Sequence, residues 1–98
     1  MSKPVFIELD RTREIKFGVN RLIQIEEKLG KPISELNDSI KDLRTSLLYG
    51  LGEKELNEDK LGELMDAAGI KYCAEKTVEA LNEATKDRES QKNLEKEI

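Results

Sequence analysis

The chain of 98 residues contains no histidine, and that absence removes most of the chemistry its other side chains could share in. Histidine titrates near neutral pH and is the commonest metal ligand, so both the usual general base and an imidazole-bound metal are excluded. Cys73 is the single thiol and has no imidazole partner to activate it as a nucleophile. It follows Tyr72 and precedes Ala74 in a stretch of helical apolar spacing, which predicts a buried, inert thiol. One cysteine allows no intramolecular disulfide and implies no secreted disulfide framework.

Two strings resemble ligand motifs and fail on their spacing. Gly50-Leu51-Gly52 opens like a dinucleotide fingerprint, but Glu55 stands where the third glycine belongs and no strand precedes it. Asn57, Asp59 and Gly62 fit the first, third and sixth positions of a calcium loop, yet Ala68 occupies the place of its bidentate carboxylate. Helix capping accounts for Asn57 better. Glu26 and Glu27 are neighbours in sequence and diverge on a helix, so they do not form an acid–base pair. Glu75, Glu79, Glu83 and Asp87 do share one helix face at i, i+4 spacing, with Lys76 and Lys86 placed to relieve their repulsion. That stripe is either a solvated face or a docking surface for a basic partner helix. No constellation supplies base, nucleophile or metal, so the expected mode of action is binding, with no cofactor and no catalysis.

The charge balance narrows the partners. The net charge is −4, whereas nucleic acids and anionic membranes select basic surfaces. Residues 1–31 hold seven Lys/Arg against five Asp/Glu, and the remainder is acidic, which leaves head-to-tail association into a homo-oligomer open. A helix-turn-helix reading also fails. The link from Gly50 to Asn57 is longer than the usual 3–4-residue turn. The would-be recognition helix, 58–68, carries four acids and one lysine that phosphates would repel. The first residues lack the apolar stretch of a signal peptide, and no apolar run approaches the roughly 20 residues of a membrane span. A soluble cytoplasmic protein is expected.

Apolar residues make up 37% of the chain and charged residues 39%, which predicts a thin core of Leu, Ile, Val and Ala under charged helix surfaces. Val5, Ile7 and Leu9 alternate with polar neighbours, and after Asp10-Arg11-Thr12 a second alternation carries Ile15, Phe17 and Val19. This period of 2 across a polar turn predicts a β-hairpin over 5–19. Phe6 points to the opposite face, so either that face is covered or an aromatic is left for a partner. From Asn20, read as an N-cap, the period becomes helical: Leu22, Ile25 and Leu29 predict a helix over 21–29, ended by Gly30 and Lys31-Pro32. Ile33 and Leu36 are expected to plug the core from a short helical turn. Ser39 and Asp42 resemble a capping box ahead of a helix over 40–50, with Ile40, Leu43, Leu47 and Leu51 as its inward stripe and Gly50 and Gly52 at its end. Asn57 caps a helix over 58–68, and Ile70, Ala74, Thr77, Val78, Leu81 and Ala84 mark the face of a last helix over 71–85. Residues 86–98 form a polar C-terminal extension, either helical or frayed. The expected fold is α+β and mostly helical, an N-terminal β-hairpin followed by a small bundle of four helices in one domain over 1–85.

The order of these segments resembles a known family. The hairpin leads into Ile15-Lys16-Phe17-Gly18-Val19-Asn20-Arg21-Leu22, then Glu26-Glu27-Lys28-Leu29-Gly30-Lys31-Pro32-Ile33. Leu43, Leu47-Leu48-Tyr49-Gly50-Leu51 and Leu61-Gly62-Glu63-Leu64 follow. Over about residues 5–85 this chain resembles the tail assembly chaperones of long-tailed bacteriophages and related prophages or gene transfer agents. Asn57 departs from the Thr or Ser expected at the third helix's cap, a change that leaves capping intact. The resemblance implies a protein that binds the tape measure protein and keeps that long helical chain soluble until the major tail protein polymerises around it. It also implies a longer frameshift product of the same gene, action in the host bacterial cytoplasm and absence from the mature virion.

For client binding, Leu48, Tyr49 and Leu51 are expected to leave an apolar surface off the inward stripe, and Glu75, Glu79 and Glu83 an acidic one. Tyr49, a rigid ring with a polar tip, suits an interface, or else covers the core's edge. The rival reading is a small regulatory adaptor or inhibitor that occupies a host protein. A DNA mimic would need acids spread along an elongated face, which only the Glu75–Asp87 stripe supports.

Overall fold

In the computed structural model, residues 3–36 and 39–97 are described, with side chains described as far as residue 85. Strands β1 (Val5–Glu8) and β2 (Thr12–Ile15) pair antiparallel, Val5 opposite Ile15 and Ile7 opposite Arg13. Helix α1 (Val19–Leu29), a 3-10 turn (Ile33–Glu35), α2 (Ile40–Leu51), α3 (Glu58–Ala68) and α4 (Ile70–Glu97) follow. The architecture is the expected α+β one, a hairpin followed by four helices. Alternation sends Val5, Ile7 and Ile15 into the core and leaves Phe6 half-exposed on the outer face. The outer face is therefore not covered at Phe6.

Helix α2 is the axis of the fold, packed against α1, α3, α4 and β2. The core gathers around it: Ile7, Ile25, Leu47, Leu61, Met65 and Cys73 are all essentially inaccessible. Each large aliphatic side chain buried this way contributes roughly 1.5–3 kcal/mol. Two caps follow the sequence reading. The Ser39 hydroxyl accepts the Asp42 N–H at 3.1 Å, and Asn57 Oδ1 accepts the Lys60 N–H at 2.8 Å. Gly30 and Gly52 end α1 and α2 in the left-handed conformation, where a Cβ would be strained.

Several boundaries move, each for a visible reason. Strand β2 stops at Ile15 because the next amide, Lys16 N–H, donates to the Gly50 carbonyl of α2 at 2.8 Å. Phe17 still points inward, but Val19 is 66% exposed and begins α1, with Gly18 rather than Asn20 at the N-cap. Gly50 lies inside α2 and does not end it. Its missing side chain lets the hairpin approach: a Cβ there would sit 2.7 Å from Phe17 Cζ and 2.8 Å from Ile15 Cγ2. Arg21 also donates to the Gly50 carbonyl, at 3.0 Å, so a cation meets the C-terminal end of α2. Ile40, read as part of the inward stripe, is 62% exposed at the start of α2. Helix α4 continues through the segment read as a polar extension, as far as Glu97.

A charged clasp that the sequence reading missed joins the hairpin turn to the α2–α3 loop. Strand parity puts Arg13 on the inward face opposite Ile7, and its side chain is 3% exposed. Arg13 Nε and Nη2 donate to the two Asp10 carboxylate oxygens at 3.0 Å, and Nη1 donates to Glu53. Arg11 donates to the same Glu53 oxygen at 2.8 Å. A buried guanidinium is tolerated only when paired this fully. The Arg13 hydrogen bond holds the Asp10 carboxyl below the usual carboxylate range, and these carboxylates raise Arg13 in turn.

Candidate protein-binding groove

The two expected client surfaces do not stand as drawn. Leu51 is 5% exposed and belongs to the core, so it cannot contact a partner. Leu48 and Tyr49 are half-buried and pack against the same core, so Tyr49 covers the core's edge. The reason is topological: α2 packs against α1, α3, α4 and β2, and Leu51 falls on the covered side. The acidic stripe is divided as well. Glu75 and Glu79 are exposed, with Glu79 3.5 Å from Lys76, whereas Glu83 accepts the backbone N–H of Lys3 at 3.0 Å. One residue of the stripe therefore ties α4 to the start of the hairpin. Asp87, the fourth, lies beyond the described side chains.

Helix α4 explains where the accessible apolar surface is instead. Among its described side chains Cys73, Thr77 and Ala80 are buried, and Thr77 Oγ1 donates to the Cys73 carbonyl. Burial pushes the Cys73 thiol up from its ordinary value, in keeping with an unreactive side chain. At about 100° per residue, the apolar arc from Cys73 round to Val78 spans roughly 140°. The neighbours cover its Cys73 side and leave the other open: Val78 is 53% exposed and Ile70 36%. Helical spacing places both on the apolar face of this helix, which its neighbours cover only in part.

That open side is one wall of a groove of about 390 Å³. Ile70, Ala74, Val78 and Leu81 of α4 face Leu43 near the start of α2, with Ile33 and Leu36 beside the 3-10 turn. The turn is held there by Glu26, whose carboxylate accepts the Ile33 N–H at 2.7 Å after Pro32 has broken the helix. Asp42, on the groove floor, is 2.5 Å from Lys31 Nζ. Ile70 is shared with a second depression, bordered by Ile40, Arg44, Asp59, Glu63 and Asp66. Along the outer flank of α4, Glu75 and Glu79 border Ala74 and Val78. The result is an apolar trough with acids at one end and along one side.

Such a surface can exclude water over an apolar partner and attract cations at its rim; it has no group placed for bond-making chemistry. Among the described residues no cluster of His, Cys, Asp or Glu is arranged to hold a metal ion. Among them, too, no helix is long and apolar enough to cross a membrane. The signal for the groove was present in the sequence as the excess width of the apolar arc on the last helix, which one neighbouring helix cannot cover. No protein-family model matches this chain, and neither does any curated protein or any solved structure.

Proposed function

We propose that this protein is a tail assembly chaperone that binds the tape measure protein and keeps it soluble in the host bacterial cytoplasm during tail morphogenesis. Two things support the reading. One is the order of segments over about residues 5–85 that resembles that family. The other, which carries the binding mode, is the open apolar trough between α4, the 3-10 turn and α2, with Val78 and Ile70 left accessible. A protein that shields apolar faces of a long helical client needs such a surface and needs no catalytic group. The protein therefore acts by binding and without a cofactor.

The test is co-expression with the large tape measure protein encoded beside it, followed by pull-down and measurement of the client's soluble fraction. A stable complex, with client soluble only when this chain is present, is the expected result. Neither complex nor gain in solubility, with the chaperone itself folded, would reject tail assembly and return the function to a different protein partner.

A further inference from the structure

The trough has a length, a chemistry and a charge, and together they specify what fits it. On α4 it runs from Ile70 to Thr85, fifteen residues apart, or about 22 Å at helical rise. That matches about four turns of a partner helix laid alongside. An extended peptide is a poorer occupant, because strand addition needs free edge amides. The Glu8 N–H on β1 already donates to Tyr72 Oη at 2.9 Å, the Lys3 N–H donates to Glu83, and the Lys16 N–H donates to α2. Glu8 lies at the end of β1, and Lys3 and Lys16 flank the two strands, so amides at and beside the sheet edge are already bonded within the protein.

The rim charge selects among helices. Asp59, Glu63 and Asp66 border the Ile70 end and Glu75 the α4 flank, and none of them has an ion-pair partner among the described residues. Of the nearby cations, Arg44 lines the same depression but lies 2.9 Å from Glu58, and Lys76 lies 3.5 Å from Glu79; Lys41, Lys60 and Lys71 are exposed nearby and do not line it. A second copy of this chain is a poor occupant. It carries a net charge of −4, and its residues 86–98 offer only Leu94 and Ile98 as apolar contacts.

We propose that the trough recognises an amphipathic helix of the client whose apolar residues recur at i, i+3, i+4 and i+7 and are bordered by Lys or Arg. This inference rests on the chaperone reading and specifies the element of the client that is held. The apolar stripe seats on Val78, Leu81 and Leu43, and the flanking cations reach Asp66 and Glu75. Apolar burial supplies the affinity, and the rim charges supply the choice between basic and acidic helices.

Two synthetic 16-residue helical peptides with identical apolar positions test it, one with Lys/Arg flanks and one with Glu flanks, titrated against the whole chain by calorimetry. The basic peptide should bind at least about fivefold more tightly, the combined effect of several rim pairs that are each weak. That preference should fade at about 1 M salt, where screening is nearly complete. Ile70→Gln with Val78→Gln should weaken the basic peptide about tenfold or more with an unchanged helical spectrum, since both side chains already meet solvent. Asp66→Lys with Glu75→Lys should reverse the preference between the peptides. Equal binding of both peptides, or full binding by the glutamine variant, overturns the proposal. So does self-association that the glutamine variant abolishes. The full-length client separates the two claims. Capture by wild type and glutamine variant alike would leave the chaperone reading standing and reject the trough, whereas no capture by either rejects the reading itself.

Discussion

Replacing Gly50 by alanine sets two effects of opposite sign against each other. In an unobstructed helix interior, Gly→Ala is stabilising by up to about 1 kcal/mol. At position 50 the new methyl would lie 2.7 Å from Phe17 Cζ and 2.8 Å from both Phe17 Cε1 and Ile15 Cγ2. Carbon atoms rest about 3.5–4.0 Å apart, so the hairpin would have to withdraw by nearly 1 Å. The ring of Phe17 and the branched Ile15 are both buried, and overpacking of this kind costs about 1–3 kcal/mol. Withdrawal would also stretch the 2.8 Å bond from the Lys16 N–H to the Gly50 carbonyl. The expected balance is a loss of about 1–2 kcal/mol, or roughly 5–10 °C in Tm for a domain of this size. Urea and thermal unfolding followed by circular dichroism measure it. Gly62→Ala is the control: its methyl would meet nothing nearer than Arg44 at 3.6 Å, so α3 should gain up to about 1 kcal/mol. Phe17→Leu should recover part of the Gly50→Ala loss in a double-mutant cycle. A Gly50→Ala protein as stable as the Gly62→Ala one would refute the argument that the hairpin is seated through the absent side chain.

Four further outcomes follow from other parts of the structure. Asn57→Ala removes the oxygen that accepts the Lys60 N–H and should cost about 1 kcal/mol by urea unfolding, whereas Asn57→Ser should cost almost nothing. Arg13→Met should destabilise by about 2–3 kcal/mol, because Asp10 and Glu53 keep their charge after losing a buried guanidinium. The clasp also fixes a pH dependence: Asp10 is held below its ordinary 3.8 chiefly by Arg13, and Glu55 below 4.5 chiefly by its own backbone N–H. Folded values below the unfolded ones mean that this stabilisation is present above about pH 4.5 and is lost as pH falls through the lowered values, and the Asp10 part of that slope should vanish in Arg13→Met. Cys73, fully buried, should react with an aromatic disulfide reagent only as fast as the protein unfolds; prompt labelling of the native protein would contradict its place in the core.

Local chemistry was readable without coordinates. The alternation around Val5–Ile7 and Ile15, the caps at Ser39 and Asn57, and the stop at Gly30 depend on interactions within a few residues, which a linear text displays. The inward faces at Leu22, Ile25, Leu47, Leu61 and Met65 also hold, but local pattern does not tell how far along a stripe the cover reaches. Ile40 and Val78 sit in apolar helical stripes just as Leu47 and Leu61 do, yet the first two face solvent. Leu51, expected both in the inward stripe of α2 and at the contact surface, is core. Gly50 resembles a helix stop, but its role is to admit Ile15 and Phe17, at and just beyond the end of β2, more than thirty residues earlier.

The sequence by itself determined the element types, the mostly aliphatic core and the acidic surface, since each follows from propensity, period and composition. Tertiary packing alone decided three things. It set the helix at the centre, it let the inward Arg13 be met by Asp10 and Glu53, and it left one side of the apolar arc on α4 uncovered. Periodicity reports that a face is apolar, but whether a neighbouring element covers that face depends on contacts between segments far apart in the chain.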